Sequence, residues 1–136
     1  RSAAEDIEFR RKDMSPDIFN NLSDRVEIYG FVNDLSDYYK RARIIVSPIF
    51  HGGGMKTKTA EALMYGKYII ATDEALEGYK FEQSCMARCN TVSEFVAAIN
   101  DFKDDNSQII PSARQLFQDL YSYSSSVIVI KNLLKR

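Results

Sequence analysis

The fold is decided by the stretch Val46-Ser-Pro-Ile-Phe-His-Gly-Gly-Gly-Met-Lys-Thr-Lys-Thr-Ala-Glu-Ala-Leu-Met-Tyr-Gly66, in which an apolar strand runs through three glycines into a helix. Glycines at 52 to 54 allow the backbone to approach a ligand closely, and the free amides of the following helical turn point at the same place. Lys56 and Lys58 are expected in that first turn, where the helix dipole disfavours a cation unless an anion is bound. The stretch therefore predicts a cradle for an anionic ligand such as a phosphate.

The spacing of residues after the glycines resembles that of a known family. The chain reads G-x-G-x-K-x-K-x-x-E-A, then a closing glycine and an apolar strand: Gly52, Gly54, Lys56, Lys58, Glu61, Ala62, Gly66 and Tyr68–Thr72. This pattern is similar to the C-terminal, nucleotide-sugar-binding domain of group 1 (family 4) glycosyltransferases of the GT-B fold. A looser similarity extends from Val26 to about Leu134. The resemblance implies an enzyme of polysaccharide biosynthesis that transfers a hexose from a nucleoside-diphosphate sugar to an acceptor.

The same resemblance implies roles for individual residues. Glu61 would hold the ribose hydroxyls of the donor, and Lys58 and Lys56 would stabilise the negative charge on the leaving diphosphate, with no further catalytic residue assigned. The diphosphate and part of the sugar would be held by the helix amides and by the loop residues Gly52, Gly53, Gly54 and Met55. Two simpler explanations remain open, an exposed i, i+3 ion pair between Lys58 and Glu61, and lysine stems that only cover surface.

Two further segments resemble the edges of the family's donor site. Gly30, Phe31 and Val32 are similar to a segment that passes beside the nucleotide base, although Phe31 could equally pack in the core. Glu77 begins a Glu-Gly-hydrophobic turn similar to one near the donor, or it ends a helix. His51, the only histidine, either bonds a phosphate or sugar hydroxyl or shapes the turn.

One position departs from the family pattern. Many members carry E-x7-E, in which the first glutamate contacts the donor sugar, but this chain has Gly53 eight positions before Glu61. The identity of the sugar is therefore not carried over from the resemblance. Retention of the anomeric configuration and independence from metal ions or other cofactors are carried over only as implications of the family.

Alternating strands and helices predict an α/β fold, a Rossmann-like doubly wound parallel sheet. Arg43–Ile49 is so continuously apolar that we expect helices on both faces of its strand. Val26–Tyr29 is interpreted as the first complete strand, whereas Ala3–Phe9 fits a helix or a strand. The domain's first strand is expected before residue 1. We divide this single domain of a larger two-domain enzyme into three parts: an N-terminal segment entering the sheet (1–25), the Rossmann-like core (26–122) and a C-terminal helix (123–136).

Several helices are predicted from their capping signals. Asp34 would cap a helix over Leu35–Ala42, in which Tyr38 and Tyr39 are expected to pack in the core rather than take part in chemistry. The remaining signals predict starts at Ser15-Pro16-Asp17, at the capping boxes Thr91/Glu94 and Ser112/Gln115, and at Ser125 for a last helix with exposed apolar positions.

Composition excludes several classes of function. With 18 basic and 19 acidic residues the formal charge is −1, which gives no field for nucleic acid. No apolar run approaches the roughly 20 residues of a membrane span. We expect a cytoplasmic protein, located at the inner face of the membrane only if the missing N-terminal domain carries it there. Cys85 and Cys89 are too few for zinc and are expected to be buried thiols.

The sequence also suggests three alternatives to a donor-binding half of a transferase. His51-Gly-Gly-Gly54 matches the oxyanion loop of esterases, but the chain lacks the G-x-S-x-G nucleophile motif that such enzymes need. A non-catalytic nucleotide- or anion-binding module would use the same cradle, and a sheet with an unremarkable glycine turn would have no site. If the chain is the donor-binding half, we expect the acceptor (a glycan or lipid-linked sugar) to bind the missing domain. We expect the fragment to bind the donor without turnover.

Overall fold

The computed structural model describes residues 7–10, 26–29, 32–103 and 109–135. Short parallel strands alternate with helices along this part of the chain. Their order is β1 (Ile7–Arg10), β2 (Val26–Tyr29), α1 (Ser36–Arg41), β3 (Ile44–Ser47), α2 (Thr57–Met64), β4 (Tyr68–Ala71), a single 3-10 turn (Glu74–Leu76), β5 (Met86–Arg88), α3 (Val92–Asp101), α4 (Pro111–Leu120) and α5 (Tyr123–Leu134).

Every described strand pair is parallel. β1 pairs with β2, and a second sheet has the order β3-β4-β5. In that second sheet Ile44 lies opposite Tyr68, and Ile69 lies opposite Met86. Parallel neighbours require crossover connections, which here run through α2 and through the 3-10 turn with its following loop. The predicted α/β class with a Rossmann-like parallel sheet is confirmed.

Side chains of β4 alternate between two separate cores. Ile69 and Ala71 face a core built with α2 and α4, whereas Ile70 packs with Cys89 and with Phe95 of α3. All three β4 residues are fully buried. Because both faces of the central strand are covered by helices, the sheet is doubly wound. The first core contains the larger set of buried side chains, among them Tyr39, Ala62, Leu63, Leu76, Cys85, Met86, Ala113 and Leu116.

The expectation that both faces of β3 are covered holds only in part. Val46 is 41% exposed, while Ser47 is buried and Ile44 and Ile45 are half-buried. The reason is position in the sheet, since β4 is the one strand paired with β3 in the described part of the chain. A continuous apolar run indicates a strand covered on both faces, but it does not distinguish a central strand from an edge strand.

The N-terminal part of the chain also differs from the interpretation of the sequence. Ile7–Arg10 forms a strand that pairs residue for residue with Val26–Tyr29, so the interpretation of Val26–Tyr29 as the first complete strand is wrong. The sequence Ile-Glu-Phe-Arg alternates apolar and polar residues, which is typical of a strand. The helix start predicted at Ser15-Pro16-Asp17 lies outside the described residues.

The structure confirms some of the predicted helix starts and contradicts others. The capping box of α3 is confirmed, since Thr91 Oγ1 accepts from the Glu94 amide at 3.3 Å and Glu94 Oε2 accepts from the Thr91 amide at 2.9 Å. The box predicted at Ser112/Gln115 is wrong. α4 begins with Pro111 at its first position, where the missing N–H of proline costs no hydrogen bond. α5 begins at Tyr123, two residues earlier than predicted.

Both cysteines are buried and free, as expected. Burial, the largest cause, together with the nearby Glu82 carboxylate raises the pKa of Cys85 to about 11. The thiolate is the reactive form of cysteine, so this thiol is chemically inert near neutral pH.

The apolar positions expected on the last helix are exposed. Tyr123 is 86% exposed and Leu134 is 81% exposed, and α5 contains no buried residue. Among the described helices, none is both long enough and apolar enough to cross a membrane.

The end of α2 is fixed by a glycine. Gly66 has a φ of 69°, and its amide donates to the Leu63 carbonyl at 2.9 Å while the Lys67 amide donates to the Ala62 carbonyl at 2.9 Å. This pair of bonds is a Schellman motif, which needs a left-handed residue after the helix. The Gly66 carbonyl also accepts from the Ile110 amide at 2.7 Å, so the same residue anchors the start of α4.

We predict that Gly66→Ala lowers the free energy of unfolding by about 1–3 kcal/mol. A Cβ at this position would have the unfavourable φ and would lie 2.8 Å from Ile109 Cγ2. Urea unfolding of the variant measures the loss. Gly53→Ala is the matched control, because a Cβ there meets no atom within 4 Å. Equal stability of Gly66→Ala and the wild type would contradict the role given to this turn.

Candidate functional site

The candidate site lies at the carboxyl edge of the three-stranded sheet. Because β3, β4 and β5 are parallel, the loops that follow them emerge on the same side. The glycine loop follows β3, and the turn that contains Glu77 follows β4. Ligands of open parallel sheets bind beyond this edge. The fold therefore places two separately predicted segments next to each other.

The glycine loop presents open backbone. Gly52 and Gly54 have φ values of 129° and 76°, which favour glycine, and all three loop glycines are exposed. Added Cβ atoms at Gly53 and Gly54 would meet nothing within 4 Å. A ligand can therefore approach the peptide groups of the loop closely. His51, at the start of the loop, is also exposed.

Lys56 fastens this loop to the next one. Its ammonium donates to the carbonyl oxygens of Gly52 at 2.9 Å and Gly54 at 2.7 Å, and to Glu74 Oε1 at 3.1 Å. Glu77 Oε2 lies 4.0 Å from the same nitrogen. Lys56 is the N-cap residue of α2, not a member of its first turn as expected, because the helix begins at Thr57.

Further contacts hold the turn after β4 against the start of α2. Tyr79 donates its hydroxyl to the Lys56 carbonyl at 2.8 Å, and Thr59 Oγ1 donates to the Ala75 carbonyl at 2.8 Å. Met55 packs so closely against Gly78 that a Cβ on this glycine would lie 2.5 Å from Met55 Cγ. The structure thus brings Met55 and Glu77 together at the edge of the loop.

Lys58 is placed differently from Lys56. It lies in the first turn of α2 and is exposed. In the part of the chain that the structure describes, its ammonium makes no hydrogen bond and no ion pair, so the alternative of a Lys58–Glu61 ion pair is not observed. The first turn of α2 contains no acidic residue, and its amides have no side-chain cap. A cation and free amides at a helix start favour an anion there.

Glu61 lies one turn further along α2 and is half-buried. Its Oε2 accepts a hydrogen bond from the Tyr39 hydroxyl at 2.8 Å. Tyr39 is only 7% exposed, as expected of a core residue, but its contact with Glu61 was missed. The available signal was that a buried tyrosine hydroxyl usually requires a partner.

The segment expected beside the base is described only in part. Gly30 and Phe31 lie outside the described residues, whereas Val32 is half-buried just before α1. The N-cap residue of α1 is Leu35, so the prediction that Asp34 caps this helix is wrong, although Asp34 Oδ1 accepts from the Ser36 amide at 2.8 Å. Hydrogen bonds from Ser36 lower the pKa of Asp34. Val32 lies shortly before α1, the helix that carries Tyr39.

A cleft of about 550 Å³ lies elsewhere, at the amino edge of the sheet, with Arg43, Tyr68 and Ala87 among its lining residues. Buried Lys67 is near it and donates to the Lys40 carbonyl at 3.0 Å, and its pKa is lowered by burial and by two nearby arginines. The cleft shares no residue with the glycine loop. In the described ranges, no group of three or more His, Cys, Asp or Glu residues could hold a metal ion.

Comparison with known protein families gives a match over most of the chain. The family model described as "Glycosyl transferases group 1" matches residues 7–105, which is well over half of the chain. This range contains the glycine loop, α2 and every candidate site residue. No curated protein and no solved structure matched the chain. On the strength of the family match, this chain belongs to the group 1 glycosyl transferases.

Proposed function

We propose that this chain is the donor-binding half of its glycosyltransferase, and that it binds a nucleoside-diphosphate sugar whose glycosyl group passes to a glycan or lipid-linked acceptor. One observation carries the proposal. An exposed glycine loop, fastened by Lys56, opens onto the start of α2, which has no side-chain cap and carries the exposed Lys58 and the Glu61 carboxylate. Family membership gives glycosyl transfer, and this geometry supports the proposal that the donor binds at the glycine loop.

The diphosphate is proposed to bind between the glycine loop and the first turn of α2. Backbone amides at a helix start bind phosphate oxygens, and the helix dipole favours their negative charge. Lys58 adds a full positive charge beside them. When the bond between sugar and phosphate breaks, charge increases on the leaving diphosphate, so these groups stabilise the transition state more than the ground state.

The two lysines then have different tasks. The Lys56 ammonium already has three oxygen partners, including the Glu74 carboxylate, and its side chain is only 15% exposed. Its charge is largely neutralised by these partners, and its main effect is to hold the loop in place. Direct stabilisation of the leaving group is therefore assigned mainly to Lys58, with Lys56 maintaining the backbone geometry on which the amides depend.

Glu61 is proposed to accept hydrogen bonds from the ribose hydroxyls. An ionised carboxylate is an acceptor with about four lone-pair sites, and Tyr39 occupies one of them. Acceptor sites remain on both oxygens of the Glu61 carboxylate for the two neighbouring hydroxyls of a ribose. The base would then extend toward Val32, the described residue of the segment expected beside it. His51 and Gly53 would lie near the sugar, which the chain contacts through backbone because position 53 has no carboxylate.

The family resemblance further supports transfer with retention of the anomeric configuration. The groups that we propose to bind the donor lie along one edge of one sheet. We therefore propose that the acceptor and any general base are contributed by a second domain across a cleft, as in the GT-B architecture. On this proposal the chain alone binds the donor and does not transfer the sugar.

We predict that Glu61→Ala weakens binding of the preferred nucleoside diphosphate by about ten- to a hundredfold. The loss corresponds to roughly 1.5–3 kcal/mol for charge-assisted hydrogen bonds to the ribose. Isothermal titration calorimetry measures it. Asp119→Ala, which removes the same charge from α4, is expected to leave affinity unchanged. An unaltered dissociation constant in Glu61→Ala would remove this carboxylate from the site.

Lys58→Ala is predicted to weaken binding of the nucleoside diphosphate roughly tenfold. Binding of the phosphate-free nucleoside is expected to stay unchanged. The reason is that the ammonium contacts only the phosphates. Titrations of both ligands measure the two losses, and Lys131→Ala on α5 serves as the control for charge. Equal losses for the diphosphate and the nucleoside would show that the substitution acts on folding rather than on phosphate binding.

A further inference from the structure

The Glu61 carboxylate is held from outside the glycine loop. The Tyr39 hydroxyl on α1 donates to Glu61 Oε2 at 2.8 Å, across 22 positions of sequence. Tyr39 is only 7% exposed, so little of this side chain is open to solvent. The carboxylate is half-buried and one of its oxygens faces this fixed donor. Among the described residues, no ion pair restrains Glu61 from another direction.

The position of the Tyr39 ring is itself determined by packing. The ring stacks on Tyr65 with a centroid separation of 5.1 Å and an interplanar angle of 2°. Tyr65 follows Glu61 by four residues, so both lie on the same face of α2. The Tyr65 hydroxyl donates to Ser36 Oγ at 2.9 Å, which joins the end of α2 to the start of α1. A buried ring held in this way presents its hydroxyl in a single orientation.

We infer that Tyr39 is a positioning residue for ribose recognition, and that it fixes the Glu61 carboxylate so that its remaining lone pairs face the two hydroxyls of a nucleoside diphosphate. This inference rests on the proposed function. A glutamate side chain has several rotatable bonds, and ordering it at the moment of binding costs affinity. A hydrogen bond made before the ligand arrives removes part of that cost. Tyr39 does not touch the ligand itself.

Selectivity for ribose then depends on a residue that the ribose does not contact. Tyr39→Phe keeps the ring and its stack on Tyr65 and removes only the hydroxyl. Without that donor, the carboxylate loses its fixed orientation and recognises neighbouring hydroxyls less well. A ligand without those hydroxyls gains nothing from Glu61 and should not respond to the change.

The test measures discrimination between two ligands by calorimetry. UDP, GDP and ADP are titrated into the wild-type protein, and the tightest of them is compared with its 2′,3′-dideoxy analogue. The ratio of the two dissociation constants reports ribose recognition. In Tyr39→Phe this ratio is expected to fall about three- to tenfold, while affinity for the dideoxy analogue stays within about twofold.

Three further variants separate positioning from folding. Glu61→Gln is expected to lower the same ratio, and Tyr39→Phe in that background is expected to add no further loss, because the two residues act through one contact. Tyr68→Phe removes a hydroxyl at the amino edge of the sheet, away from the glycine loop, and is expected to leave the ratio unchanged.

The outcomes distinguish this inference from the function on which it rests. A ratio unchanged in Glu61→Gln, or no binding of any of the three diphosphates, would overturn the proposed function and this inference with it. A ratio lowered in Glu61→Gln but not in Tyr39→Phe would overturn only the inference. Equal weakening of both ligands in Tyr39→Phe, or tighter binding of the ribonucleotide, would likewise overturn it.

Discussion

The parallel pairing of β3 with β4 is the constraint on which the site depends. Their register, with Ser47 opposite Ala71, ends both strands at the same level. The glycine loop and the turn that carries Glu74 and Glu77 therefore leave the sheet side by side. The register is fixed by the packing of β4, whose alternating side chains enter two cores on opposite faces of the sheet. A shift of one residue would exchange those cores, so packing far from the loop determines its geometry.

Lys56 stabilises an exposed glycine loop. Glycine-rich backbone is entropically costly to order, and exposed peptide groups contribute no core. The Lys56 ammonium compensates by binding two carbonyl oxygens of the loop and the Glu74 carboxylate. Because the carbonyls are turned toward this cation, the peptide groups of the loop are held in a defined arrangement. Tyr39 does the same for the Glu61 carboxylate from another helix.

Local signals in the sequence predicted the strand, the glycine loop and α2, because the apolar run, the glycines and Gly66 each act within a few residues. The same holds for the capping box at Thr91 and Glu94. Tertiary contacts were not predictable in this way. The exposure of Val46 depends on which strand pairs with β3, and the contact between Tyr39 and Glu61 joins segments 22 positions apart. The partners of Lys56 were missed because Glu74 approaches only through the register of the sheet.

The central claim is that this edge of the sheet binds a nucleoside diphosphate through both its phosphates and its ribose. Calorimetry of the protein with UDP, GDP and ADP, each paired with uridine, guanosine or adenosine, tests that claim most directly. The account predicts clear binding of one diphosphate and at least about tenfold weaker binding of its nucleoside, because the amides of the loop and helix contact the phosphates. Absence of binding by all three diphosphates to the folded protein would contradict it, as would equal affinity for the diphosphate and its nucleoside.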